Sequence, residues 1–106
     1  MNDTVLDRVF QTIVSRRGTD PQKSYTASLL ARGHAHVARK VGEEALETVI
    51  AAVAADHKAI VAESADLLFH LLVLLADHGL QPADVFAELE RREGTSGVTE
   101  KASRSR

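Results

Sequence analysis

A chain of 106 residues with 13 Lys and Arg against 15 Asp and Glu fits one domain, and its formal charge of −2 gives no pull toward nucleic acid or anionic lipid. The absence of cysteine excludes disulfides and thiolate metal sites. Three Phe, one Tyr and no Trp leave the core to Leu, Val, Ile and Ala, an inventory that favours helix over sheet.

In chain order, Val5, Leu6, Val9, Phe10, Ile13 and Val14 recur at helical spacing and predict a helix over residues 4–17. The opening MNDTVLDRVF lacks the basic segment of a signal peptide. Gly18, Asp20 and Pro21 break the helix, and Lys23-Ser24-Tyr25-Thr26 supplies a cap for a brief helix through Leu29 and Leu30 that ends at Gly33. A second long helix is predicted over 34–55, with Val37, Val41, Leu46, Val49, Ile50 and Val53 apolar. Gly42 inside it costs roughly 1 kcal/mol relative to Ala, which points to a conformational or close-packing reason. Asp56-His57-Lys58 reads as a turn, and a third long helix runs to about residue 78, closed by Gly79. The longest apolar run, LLVLLA at 71–76, is too short to cross a bilayer, so a soluble, cytoplasmic protein with no membrane or nucleic-acid partner is expected. Pro82 opens a further helix with Val85, Phe86 and Leu89 on its inner face. After Gly94 the chain is polar and net basic. The expected organisation is one domain over 1–93 and a solvated tail over 94–106, whose Lys101, Arg104 and Arg106 could close over a polyanion.

No strand-like alternation occurs, so the expected fold is all-α, a four- to five-helix bundle. Its second and third long helices would form an antiparallel hairpin. The third is apolar around most of its circumference and predicts a subunit interface, hence a homodimer.

The chemistry concentrates in two pairs, Glu44 with Glu47 and Glu63 with Asp66, each three residues apart and so on one helix face. With the hairpin midpoint between Asp56 and His57, Glu47 and Asp66 stand at the same level, about 15 Å from the turn, with Glu44 and Glu63 within a turn of it. The faces they occupy are otherwise small or apolar: Val37, Thr48, Ala51 and Ala55 on one helix, Ala59, Leu67, His70 and Leu74 on the other. Four carboxylates in a half-buried place cannot all stay ionised without compensation. An all-oxygen donor set selects Mg²⁺, or Mn²⁺, over Zn²⁺ or Cu²⁺. Mg²⁺ held by few carboxylates usually completes its shell with water and substrate phosphates, which points to phosphate chemistry.

Alternatives stand beside this. The acids could be surface pairs with Arg39 and Lys40 and nothing more. A carboxylate-bridged di-iron bundle would need Glu-x-x-His pairs, and the fourth position here is Asp66. His70, one turn after Asp66, either holds a ligand carboxylate from behind or is a satisfied core histidine. Lys40, one turn before Glu44, either reaches a phosphate or is a surface salt-bridging lysine. No phosphate-cradling glycine loop and no Ser/His/Asp or Cys/His set is present.

Taken together, SYTASLLARG, KVGEEALETVIAA, ESADLLFHLLVLLADHGL and DVFAELERREGTSGVTEKASR, spanning about residues 3–104, resemble the phosphoribosyl-ATP pyrophosphatase family. That family lies within the all-α, MazG-like nucleoside triphosphate pyrophosphatase superfamily. The resemblance implies Mg²⁺-dependent hydrolysis of phosphoribosyl-ATP to phosphoribosyl-AMP and pyrophosphate, the second step of histidine biosynthesis, by a helical homodimer. It also implies metal ligands at Glu44, Glu47, Glu63 and Asp66, with Glu43 a further contact, and substrate contacts at Ser24, Tyr25, Thr26 and Lys40. One of Glu44 and Glu47 would take the proton of the attacking water. The next reaction would fall to a separate phosphoribosyl-AMP cyclohydrolase. Two positions depart from the family: Phe69 where Tyr is common, and Lys23 where Gly is frequent. The rivals are a house-cleaning enzyme of the same superfamily that cleaves other nucleoside triphosphates, and a non-catalytic helical binding module.

Overall fold

A computed structural model describes residues 4–104 and is all-helical over that span. Its helices are α1 (Val5–Arg16), α2 (Tyr25–Ala31), α3 (His34–Val53), α4 (His57–Asp77), α5 (Pro82–Arg92) and α6 (Gly97–Ser103). The expected all-α class holds, with six helices among the described residues rather than four or five.

Local chemistry sets the boundaries. Thr4 Oγ1 accepts from the Asp7 amide at 3.2 Å, and the Thr4 amide donates back to Asp7 Oδ2, closing a box that satisfies the exposed donors of the first turn. Ser24 caps α2 by accepting from the Ala27 amide at 3.1 Å, as the polar stretch before it predicts. Gly33 stands just before α3 at φ 94°, a region closed to most side chains, which is why the chain turns there between two helices. Asp56 caps α4 through the Ala59 amide at 3.1 Å. The predicted turn 56–58 is therefore displaced: the link is Ala54-Ala55-Asp56, with Ala55 at φ 56°, and His57 and Lys58 already belong to α4. Pro82 opens α5 at its first turn, and the Gln81 amide donates to Asp84 Oδ2 at 2.9 Å.

The core joins Phe10 and Ile13 of α1, Leu29 of α2 and Val37 of α3 to Leu72, Val73, Leu75 and Ala76 of α4. By length and composition α4 is apolar enough to cross a membrane, a feature the short run at 71–76 conceals. Within this fold it is the core helix, with α1, α2 and α3 packed on it. Its contact with α3 is the most extensive in the molecule, and it brings His34 at the start of α3 to Asp77 at the end of α4.

Several apolar positions stay outside that core. Leu46, Val49, Ile50 and Val53 on α3 are exposed, as are Val61, Leu68 and Leu71 on α4. The inner face expected for α5 is also open: Val85 and Leu89 are exposed and only Phe86 is half-buried. The radius of gyration, 15.7 Å, exceeds the roughly 13 Å of a compact chain of this length. Gly42 has neither of the expected reasons within this chain, since a Cβ there would meet nothing within 4 Å. The segment read as a solvated tail contains α6, whose Glu100 is buried against Arg91 at 2.6 Å and Arg104 at 3.5 Å. Arg106 lies outside the described residues.

Candidate active site

Glu44 of α3 and Glu63 and Asp66 of α4 each place a carboxylate oxygen within 4.8 Å of the other two. The displaced link explains the grouping. About Ala55, Glu44 and Asp66 stand eleven residues to either side, and Glu47 and Glu63 eight. Glu44 is therefore level with Asp66, and Glu47 with Glu63, in place of the predicted level of Glu47 with Asp66. At 1.5 Å per residue the three-residue offset between the pairs is about one helical turn, so all four acids line one seam.

Their surroundings differ. Glu44 is buried, Glu63 half-buried and Asp66 exposed. Burial, followed by the neighbouring Glu47, Asp66 and Glu44 carboxylates, pushes the Glu63 carboxyl above its ordinary range. Glu63 Oε1 is buried with no hydrogen-bond partner. A buried acceptor facing three other acids lacks a positive partner, and a hard cation with oxygen ligands fits that deficit. Glu47 is exposed, outside the group of three, and lines with Glu63 a cleft of about 270 Å³ floored by Ala51 and Ala59.

Lys40 is the nearest cation on the same helix. Its Nζ lies 3.3 Å from Glu43 Oε1 and 3.8 Å from Glu44 Oε2, and Glu43 raises its pKa. Glu43 stands outside the three-acid group and pairs with Arg39 at 3.7 Å as well. The surface pairs weighed against a metal centre thus form at Glu43 and, through Lys40, at Glu44, while Glu63 and Asp66 have no basic partner within ion-pair reach among the described residues.

Ser24 is occupied as a helix cap, Thr26 is buried, and Tyr25 carries the outward group of the SYT stretch. Tyr25 Oη lies 2.8 Å from His70 Nε2, and His70 Nδ1 lies 2.7 Å from the main-chain carbonyl of Asp66. A carbonyl only accepts, so Nδ1 bears a proton; in the neutral ring Nε2 accepts from the tyrosine hydroxyl. His70 is buried and fixes α2 to the turn of α4 that presents Asp66, through that residue's backbone and not its carboxylate.

Residues 32–40 add a basic stretch of which sequence reasoning used only Lys40 and, as a salt-bridge partner, Arg39. Arg32, His36 and Arg39 line one shallow concavity, and His36 Nδ1 is buried without a partner. Burial, then Arg32, Arg39 and Lys40, lowers the His36 pKa. The spacing of these residues, one helical turn apart before the glutamates, was the signal available. Arg32 closes α2, and His36 and Arg39 follow at one-turn spacing and lead to Glu43, so basic side chains stand in sequence just before the acids of α3.

The sequence matches the family model described as phosphoribosyl-ATP pyrophosphohydrolase over residues 6–93. It is 62% identical to the phosphoribosyl-ATP pyrophosphatase of Parvibaculum lavamentivorans over 93% of this chain and 91% of that one. To the protein of the same name from Azospirillum brasilense it is 59% identical, covering 94% and 90%. To that of Paramagnetospirillum magneticum it is 57% identical, covering 96% and 94%. The carboxylate seam, its buried unpartnered oxygen and this match along most of the chain agree: the chain belongs to the phosphoribosyl-ATP pyrophosphohydrolase family.

Proposed function

We propose that this protein hydrolyses phosphoribosyl-ATP to phosphoribosyl-AMP and pyrophosphate with Mg²⁺ or Mn²⁺, the second step of histidine biosynthesis, as a soluble cytoplasmic homodimer. The observation that carries the chemistry is the unpartnered, buried Glu63 Oε1 among Glu44, Asp66 and Glu47. Family membership and the names of the relatives supply the substrate.

Glu44, Glu63 and Asp66 would hold the cation, which would supply the positive charge that neutralises phosphate oxygens and makes the attacking water more acidic. Glu47, exposed at the rim of the cleft and outside the group of three, is placed to take the proton of the attacking water. That water adds to phosphorus, the phosphoanhydride P–O bond breaks, and pyrophosphate leaves. Lys40, with Arg32 and Arg39 behind it, offers positive charge to the departing polyphosphate. Tyr25, its hydroxyl held by His70, lines the approach to Asp66 together with Ser24, the buried Thr26 supports that turn from within, and Glu43 holds Lys40 in place. Phosphoribosyl-AMP is then the substrate of a cyclohydrolase.

The antiparallel hairpin of α3 and α4 is supported by Glu44 meeting Asp66 and His34 meeting Asp77. The homodimer is supported by Leu46, Val49 and Val53, exposed by 56% to 83% on the side of α3 away from the acids, with exposed Ile50 between that side and the Glu47–Glu63 cleft, and by the loose packing of the lone chain. Sedimentation should give twice the chain mass, and Val49→Lys with Ile50→Lys should halve it; a monomeric parent would remove the dimer.

Substrate choice is tested by pyrophosphate release with Mg²⁺ on phosphoribosyl-ATP, ATP and dUTP. Preferential turnover of phosphoribosyl-ATP is expected. Preference for ATP or dUTP would transfer the chain to the house-cleaning activity, and no release from any of them would leave a binding module.

A further inference from the structure

A second polar cluster lies at the other end of the α3–α4 pair. Asp77, the last residue of α4, has a side chain only 5% exposed, yet no lysine or arginine pairs with it among the described residues. Two histidines face it instead. His34 Nδ1, from the first residue of α3, contacts Asp77 Oδ2, and His78 Nε2 lies 3.9 Å from the same oxygen. The two imidazoles stack with centroids 4.5 Å apart and planes inclined by 20°. One donor atom from each of the three residues lies within 4.8 Å of the other two, while both histidine side chains remain open to solvent.

We propose that His34, Asp77 and His78 form a binding site for one d-block divalent cation such as Zn²⁺, Co²⁺ or Ni²⁺, distinct from the carboxylate seam. Two imidazole nitrogens and one carboxylate oxygen form a donor set suited to these ions, whereas the all-oxygen seam suits Mg²⁺. The buried carboxylate supplies charge, and solvent fills the coordination positions that the protein leaves open. Glu44 is ten residues along α3 from His34, and Asp66 eleven before Asp77, so the two centres are separated by about 15 Å along the helices. Contraction of the 4.8 Å group around an ion at roughly 2.0–2.2 Å needs only rotation of the two exposed histidine side chains. Bound there, the ion staples the first turn of α3 to the last turn of α4, and it stabilises the folded state because it binds that state preferentially.

The test titrates Zn²⁺ and Co²⁺ into full-length protein held in saturating Mg²⁺, so that the seam is occupied. Calorimetry should report one equivalent of Zn²⁺, and Co²⁺ should show the visible bands of nitrogen ligation. Loss of a mere outer partner of a ligand weakens metal sites about 10–100-fold, so His34→Ala or His78→Ala should weaken Zn²⁺ by at least about 10-fold. Both side chains are exposed, so the variants fold, as melting curves would verify. Zn²⁺ should raise the melting temperature of the parent but not of the double variant. His57→Ala, on the outer surface of α4, should bind as the parent does. Absence of Zn²⁺ binding under Mg²⁺, or parental affinity in the double variant, would overturn the site. Pyrophosphate release with Mg²⁺ should be unchanged in both histidine variants, which separates this centre from the catalytic one.

Discussion

The two halves of α4 do different work. From His70 to Asp77 nearly every position is buried: Val73 is fully enclosed, with Leu72, Leu75 and Ala76 around it, and α1, α2 and the start of α3 cover them. From His57 to Phe69 the same helix has no fully buried residue, carries Glu63 and Asp66, and leaves Val61 and Leu68 in solvent. One continuous helix thus anchors fold stability at one end and holds an electrostatically unfavourable seam at the other. The rigid end fixes the seam, so the repulsion among the acids need not be relieved by local unfolding.

Substitutions should separate the two ends. The largest effect is expected from Asp66→Asn, which should lower turnover by at least about 100-fold, the scale of losing one preorganised electrostatic group, with melting unchanged or raised. Parental turnover in that variant would dissolve the division. Leu72→Ala should do the reverse: a loss of about 2–5 kcal/mol in denaturant unfolding, with turnover per folded molecule retained.

Glu63→Gln probes the repulsion itself. The folded-state pKa of Glu63 is raised, so its protonated form favours folding at low pH, and that contribution is lost as pH rises from the ordinary carboxylate range through the raised value. Metal-free parent should therefore lose melting temperature over that window, the variant should lose less, and Mg²⁺ should stabilise the parent most above it. Equal pH slopes in parent and variant would contradict the crowding of these acids. The smallest effect is Ser24→Ala, about 1 kcal/mol from the lost cap of α2, read in chemical denaturation.

Helix identity was legible because apolar spacing and caps agree: Val5 to Ile13, Ser24, Pro82 and the long α3 and α4 all stand where periodicity puts them. The acid pairs were legible for the same reason, since E-x-x-E and E-x-x-D fix a shared face. Their register was not, because it depends on where the link falls, and Ala55 in a left-handed conformation carries no glycine or asparagine to announce it. The helical tail was hidden by its composition; Ser96 caps α6 and Glu100 gathers Arg91, Arg92 and Arg104, contacts that need the fold before they exist. The His34–Asp77–His78 cluster joins residues 43 and 44 positions apart and has no signature along the chain.

The most direct measurement is pyrophosphate release from phosphoribosyl-ATP as Mg²⁺ is titrated, comparing the parent with folded Glu47→Gln and Asp66→Asn. The expected result is metal-dependent release by the parent, a collapse of turnover at saturating Mg²⁺ for Glu47→Gln, and for Asp66→Asn a low rate with a raised Mg²⁺ requirement. Release by the parent without divalent cation, or parental rates in both variants, would contradict a cation held between α3 and α4 as the centre of the chemistry.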